Sequence, residues 1–545
     1  MTWATRLGLA VWGALGVGLV VGGLEVAALA VRLPVPFAPI ELLIAGGAAI
    51  GVTGVAGVAI AVLLLPVLLA LQKRPAEVAI AVVVAVVTTA LAGLHIWRVS
   101  GVLWTESRSG AAFTLAALPP GLGGIAYFNA LYWIKRIAVG RSSAVVWPAF
   151  AGAIACGAVA SGVAVVALRP SEGTRRDGND AILITIDGLR RDAVGVFGGN
   201  PTPYLDQLGR ESIVFVDAVS PTPLSGPANA TALSGLHPLR HRRVTDDRGL
   251  IRAVKTLPEA LAEEGWSTAA FVSSEVVAAD TGMAQGFLSF DDRFVPPWAR
   301  VALLAPFADR TATRAARPTT EAFLAWLDLH PARPYFAWIH LADPAFAAAA
   351  DGDVQAAVVQ IDASIQQIRE ALERTDRWKH TALVVAGTHG WMNGEHGLRG
   401  NLGLYEPAVR IPLIVRIPGY EPRFPRPDAQ VRLMDVPATV LELLALEPVL
   451  ESEGVALVGY GTGRRKATMS CPLIGPAGDG ALQVGLRNNG VKFIEDPKGG
   501  APQLYLLGRD PAEERNLAAE EPSIVEAAHG MLGPELAALR TVAGP

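Results

Sequence analysis

Five long apolar stretches crowd the first third of this chain: Leu7 to Val31, Ile40 to Leu71, Val78 to Ile96, Ala111 to Ile134 and Ser143 to Leu168. Each reaches or exceeds the roughly 17–25 residues needed to cross about 30 Å of hydrocarbon. Such a chain must fold in two solvents, so the 51% hydrophobic and 18% charged residues of the whole average a membrane part and a water-exposed part. The first stretch is longer than the apolar core of a signal peptide and further spans follow it, so it reads as a retained span. The second contains glycines and Pro66 and reads as a tilted, kinked or re-entrant segment.

Charge sets the expected orientation. With the N-terminus inside, Arg6, Lys73, Arg74, Lys135, Arg136 and Arg141 fall on the cytoplasmic side, against Arg32, Arg98 and Arg108 outside. An odd number of spans then places everything after Pro170 outside the cytoplasm, at the cell membrane. The bilayer is thus an expected partner. Nucleic acid is not, because the net charge is −4 and no basic stripe interleaved with aromatics occurs. Cys156 lies in the fifth stretch and Cys471 beyond it, so no disulfide can form within the water-exposed part.

The polar segment RPSEGTRRDGND, residues 169–180, reads as a linker. Ala181 to Asp187, AILITID, then reads as a buried strand that ends on a carboxylate. Thr256 to Glu264 is predicted helical, with a Thr256/Glu259 capping box and Gly265 as its stop. Thr268 to Val272, Tyr335 to Leu341, Ala382 to Ala386 and Pro412 to Ile417 read as strands, and Val354 to Glu373 as an amphipathic helix. This alternation predicts the α/β class, a largely parallel sheet covered on both faces over 181–470. RNNG at 487–490, between Leu482–Leu486 and Val491–Ile494, predicts a hairpin in a small antiparallel C-terminal subdomain, 471–545.

Polar groups end strands or open helices at four places: Asp187; Ser225 in PLSGPANATALSG; His340 with Asp343 in WIHLADP; and Thr388 with His389 in VVAGTHGWMNGEHG. Taken singly, each has a bland reading as a helix cap, a turn residue or a structural histidine. The carboxyl edge of one sheet can nevertheless gather them. The expectation is that Asp187, Ser225, Thr388 and His389 converge within about 8 Å, the scale of a shared ion site.

In order along the chain, these motifs resemble the sulfatase family of the alkaline-phosphatase superfamily. The resemblance covers roughly Ala181 to Ala518 and includes ITIDGLRRD, PLSGPANATALSG, LPEALAEEGW, WIHLADP and THGWMNGEHG. It implies an α/β/α core holding a divalent cation (calcium, zinc or manganese) and a nucleophile at a helix start, both stabilising charge on a tetrahedral anionic ester. Carried over by motif, Asp187, Thr388 and His389 hold the metal positions and Ser225 the nucleophile position. His340 and His396 become the catalytic imidazoles, and Asn229 and Arg399 the substrate-side groups.

The departures from the family pattern are chemical. Thr388 stands where a metal-binding Asp is usual, and Gly188 where many members carry a second Asp. Ala228 and Asn229 replace the Ser and the Arg or His of the nucleophile motif, so formylglycine maturation of Ser225 is not expected. Ala345 replaces a histidine, and the lysine expected near Arg399 to Leu402 is missing. Arg399 or Arg410 is the candidate substitute cation. Two readings stay open: an envelope hydrolase or transferase of sulfate or phosphate esters, lipid- or glycan-linked, or a degenerate member that keeps the fold to bind a ligand or partner.

Overall fold

The computed structural model describes residues 178–294, 313–329, 334–420, 425–465, 468–496 and 499–543. The five apolar stretches and most of the linker lie outside the described residues. No helix among the described residues is long and apolar enough to cross a membrane. Residues 172–294 and 312–545 fall in one compact unit.

Its centre is an eight-stranded sheet in the order β10-β2-β9-β6-β1-β5-β3-β4. The strands are β1 (Asp180–Ile186), β2 (Ile213–Val219), β3 (Ser267–Val272), β4 (Ser289–Asp291), β5 (Tyr335–Leu341), β6 (Thr381–Gly387), β9 (Arg410–Arg416) and β10 (Val431–Arg432). Only β9 runs against its neighbours, so the sheet is largely parallel, as expected, and mixed by that one strand. β1, β5 and β6 are buried along their whole length, which is why they read as unbroken apolar runs rather than alternating ones.

Helices cover both faces. Helices α1 (Pro203–Arg210), α2 (Ser225–Ser234), α3 (Leu257–Glu263), α4 (Ala316–Leu329), α5 (Val354–Arg374) and α6 (Val436–Leu443) alternate with the strands. α2, α3 and α6 share one core cluster with Leu183, Trp338 and Val384. On the opposite face α4 sets Phe323 and Trp326 edge-on against Phe271 of β3, because successive strand residues point to opposite faces. The Thr256/Glu259 capping box forms as expected, with the Thr256 N–H donating to Glu259 Oε2 at 2.8 Å.

The C-terminal part builds a four-stranded antiparallel sheet from β11 (Cys471–Pro476), β12 (Leu482–Asn488), β13 (Val491–Glu495) and β14 (Gln503–Leu506). Asn489 and Gly490 make the β12–β13 turn with φ of 48° and 79°, the left-handed pair a tight hairpin requires. Two helices, α7 (Pro522–Met531) and α8 (Gly533–Ala543), pack Ala528, Leu532 and Leu539 on this sheet. Cys471 is a free, buried thiol, which burial pushes up to about 12.

A buried charge cluster fastens the two sheets together. Arg487 of β12 forks onto Asp217 of β2 (2.7 and 3.0 Å) and onto Glu406 (2.9 and 3.1 Å). Lys492 of β13 pairs with Glu406 at 2.8 Å and Glu513 at 3.1 Å, and donates to the Leu404 carbonyl. Burial alone would raise the Glu406 carboxyl, but Lys492 and Arg487 outweigh it and hold it well below the usual carboxylate range. Glu406 therefore contributes its stability at neutral pH and loses it only in strong acid. Lys492→Met leaves Glu513 buried without its cation and should cost about 3–5 kcal/mol at pH 7. Because the buried Glu513 carboxyl, left without its cation, then protonates, the deficit should narrow toward pH 4; denaturant unfolding of wild type and variant at both pH values checks this.

Candidate active site

Three adjacent parallel strands bring their carboxyl ends to one edge. The register pairs Thr185 with His340 and Ile186 with Gly387, so Asp187 emerges beside Thr388 and above His340. Backbone bonds fix this arrangement: the Asp187 N–H donates to the Leu341 carbonyl (2.9 Å) and the Thr388 N–H to the Ile186 carbonyl (3.0 Å). The chain leaving β2 reaches the same edge and enters α2 at Ser225. Its approach is strapped by Ser220 N–H to Val409 O and by Ile474 N–H of β11 to Pro221 O, both 2.8 Å. All ten residues of α2 are buried, and Gly235, at φ 71°, ends the helix.

Asp187 is the hub. The Ser225 hydroxyl donates to Oδ2, and the His340 ring meets the same oxygen through Nε2 at 3.0 Å. Oδ1 accepts from Asn229 Nδ2 at 3.0 Å and from the Thr388 hydroxyl at 2.5 Å. Asn229 also donates to the Ser225 carbonyl at 2.9 Å, one helical turn back. Burial by itself would raise the Asp187 carboxyl, but the ring of His340, with His389 and the Ser225 hydroxyl, outweighs it and holds the group well below the usual range. Asp187 therefore stays ionised and acts as an acceptor.

The two site imidazoles are differently wired. His340 Nδ1 accepts the Ser273 N–H at 3.3 Å, so Nε2 carries the proton and donates to Asp187. His389 Nδ1 lies 2.7 Å from the Gly390 carbonyl and must donate to it. Its Nε2 is buried without a partner, as is Asn229 Oδ1. His389 lies close enough to Asp187 and Asp246 to lower both carboxyls.

Two residues assigned to the site by motif are placed elsewhere. His396 is exposed and stacks on Tyr405 with ring centroids 3.7 Å apart, and Arg399, its side chain 74% exposed, pairs with Asp351 at 3.2 Å. Neither joins the Asp187 cluster. Arg410, the other candidate substitute cation, donates to the Val216 carbonyl and faces Asp217 and Glu406, a structural role.

The structure adds two groups from the charged segment RHRRVTDDRG, residues 240–249. Asp246 accepts the Gly226 N–H at 2.7 Å, and burial raises its carboxyl. Arg243 is 0% exposed, and burial pulls its guanidinium down to about 10 against the opposing charges of Asp246 and Asp187. No period or spacing marks either residue. Their place depends on a loop that folds back along α2, where His241 Nε2 meets the Thr231 hydroxyl at 3.1 Å.

A divalent cation does not fit these residues as they stand. Asp187 has about four acceptor positions, and four donors occupy them. Asn229 Oδ1 and His389 Nε2 would add only neutral ligands, and among the described residues no three His, Cys, Asp or Glu converge on a common point. A hard cation prefers several anionic oxygens. The position of the second family Asp is closed as well. A Cβ on Gly188, φ 69°, would lie 2.6 Å from the Ala345 Cα, so the two departures at 188 and 345 belong together.

Thr388→Asp tests this account of the donors. The second carboxylate would face Asp187 across a buried gap, so without added metal the variant should be less stable by about 1–3 kcal/mol. Calcium, zinc or manganese should restore its melting temperature and leave that of the wild type little changed.

With the geometry in hand, comparison with known proteins is direct. Residues 179–446 match the family profile described as Sulfatase. Arylsulfatase K of Gallus gallus is 30% identical over 181 residues, 31% of this chain and 33% of that protein. Choline-sulfatase of Rhizobium meliloti (strain 1021) is 28% identical over 164 residues, 29% and 31% of the two chains. This chain thus spans about a third of the length of these curated relatives. Among solved structures, the phosphonate monoester hydrolase of Agrobacterium radiobacter superposes with a TM-score of 0.55 at 17% identity, over 67% of this chain and 96% of that one. A 2-O GAG sulfatase gives 0.55 at 15% identity, over 66% and 92%. At such identities the superpositions speak for the fold, whereas the profile match spans the strands and helix that build the site. Residues 179–446 thus form a domain that matches the sulfatase family model.

Proposed function

We propose that this protein hydrolyses sulfate esters through unmodified Ser225, in a domain anchored to the membrane by the N-terminal third and held outside the cytoplasm. The observation that carries the reading is the Ser225 hydroxyl at the start of a fully buried helix, oriented by Asp187. Helix N-termini favour anions, and a hydroxyl held there is aimed at a tetrahedral centre bound at the helix end.

The chemistry follows from the wiring. Ser225 Oγ attacks the ester sulfur in line, the sulfur–oxygen bond to the leaving alcohol breaks, and the sulfuryl group rests on Ser225. A water then attacks the same sulfur, the bond from sulfur to Ser225 Oγ breaks, a proton from the water returns to Oγ, and inorganic sulfate leaves. Asp187 orients the hydroxyl but cannot retain its proton, because its carboxyl is held so low. Of the two site imidazoles, His389 has the free lone pair at Nε2, so it is the group able to take that proton and return it to the leaving oxygen. His340 positions Asp187 and takes no part in proton transfer. Glycan- or lipid-linked sulfates are the candidate substrates, given a domain facing the envelope.

A second reading, a binding module with no turnover, is favoured by the saturated Asp187 carboxylate and the missing motif cations. The two separate in one assay. The full chain in detergent should hydrolyse aryl sulfates faster than aryl phosphates or phosphodiesters, and Ser225→Ala should reduce the rate by about 10³-fold or more. A wild-type rate equal to that of Ser225→Ala would leave the binding reading in place of the enzyme. Orientation is checked separately: an alkaline-phosphatase-type reporter fused after Pro545 should be active, and a reporter that works only in the cytoplasm should be silent.

A further inference from the structure

Arg243 is one of four buried arginines among the described residues, with Arg416, Arg432 and Arg487. The other three make their hydrogen bonds to carboxylates or carbonyls without leaving a buried guanidinium nitrogen unsatisfied. Arg243 spends one nitrogen, Nη2, on the Val276 carbonyl, while Nε and Nη1 are buried with no partner. Unsatisfied donors on a buried cation are expensive, and a side chain kept in that state points to a ligand that completes it.

The location says which ligand. A Cβ built on Gly226 would lie 2.5 Å from Arg243 Nη2, 2.7 Å from Cζ and 2.8 Å from Nε, so the guanidinium lies flat against the second residue of α2, next to Ser225. Only glycine admits it there. Val276 belongs to the turn after β3, and β3 ends beside β5 at the same sheet edge as Asp187. The loop is pinned from behind, with the Arg243 N–H donating to His241 Nδ1 at 3.2 Å and Asp246 holding the Gly226 N–H. A negatively charged ester approaching Ser225 must come near ionised Asp187, so it needs a cation on its other side.

We propose that Arg243 is the substrate-anion receptor of the Ser225 site, one edge of its guanidinium, Nε–H or Nη1–H together with the second Nη2–H, binding two oxygens of a sulfate ester. This rests on the reading of Ser225 as the site's nucleophile for sulfate esters. The guanidinium fork matches a tetrahedral oxyanion in a way a single ammonium does not. It replaces, from a different place in the chain, the cation missing from the nucleophile motif.

The test uses inorganic sulfate as probe and the full chain in detergent. Titration calorimetry should show sulfate binding to wild type and to Ser225→Ala alike, and binding about 10-fold or more weaker in Arg243→Met. Arg243→Lys keeps the stem and charge but loses the fork, and should fall between the two; it also serves if the Met variant does not fold. Where turnover is measurable, Arg243→Lys should raise KM for aryl sulfate. Sulfate binding that depends on Arg243 without any turnover would uphold the receptor and sink the hydrolase reading. Wild type that binds no sulfate, or folded Arg243 variants that bind it as wild type does, would overturn the proposal.

Discussion

An ionised carboxylate buried at the edge of a sheet must have its lone pairs filled, and in this protein that requirement on Asp187 organises the site. Serine, threonine, asparagine and histidine each donate to it, from a helix start and from the ends of two flanking strands. The parallel pairing of β1 between β5 and β6 makes the meeting geometrically inevitable. Hydrogen bonding then sets the chemistry: the carboxylate stays ionised, the serine hydroxyl is aimed, and one imidazole is committed to positioning while the other keeps a free nitrogen.

The departures from the family pattern are correlated rather than scattered. With glycine at 188 and alanine at 345 the backbone closes over the place of a second carboxylate. Thr388 replaces another carboxylate by a donor that satisfies Asp187 instead of repelling it. A site that loses anionic ligands has less use for a strong cation, and Arg243 supplies a fixed positive charge of modest strength beside Ser225. These changes fit a site that handles an anion through hydrogen bonds and one guanidinium.

Behind the site, the second sheet acts as a brace. The Arg487–Asp217–Glu406–Lys492 cluster locks it to β2 and to the segment before β9, while β11 holds the loop that delivers Ser225. The nucleophile's position thus depends on residues more than 200 positions away in sequence, a dependence that hydropathy cannot reveal.

The sequence by itself determined the α/β core and most of the hub. Strand runs such as AILITID, the capping box at Thr256, and the order of Asp187, Ser225, Asn229, His340, Thr388 and His389 are local patterns, and parallel pairing converts them into one edge. Tertiary structure alone decided the rest. His396 and Arg399 share a motif with His389 but leave the edge on the short β7 (Met392–Asn393) and β8 (Arg399–Gly400) hairpin, where one stacks on Tyr405 and the other faces solvent. Arg243 sits in a charged segment and is buried because Gly226 leaves room for its guanidinium. Burial of a charge is a property of what packs around it, and neither its residue type nor its spacing encodes that.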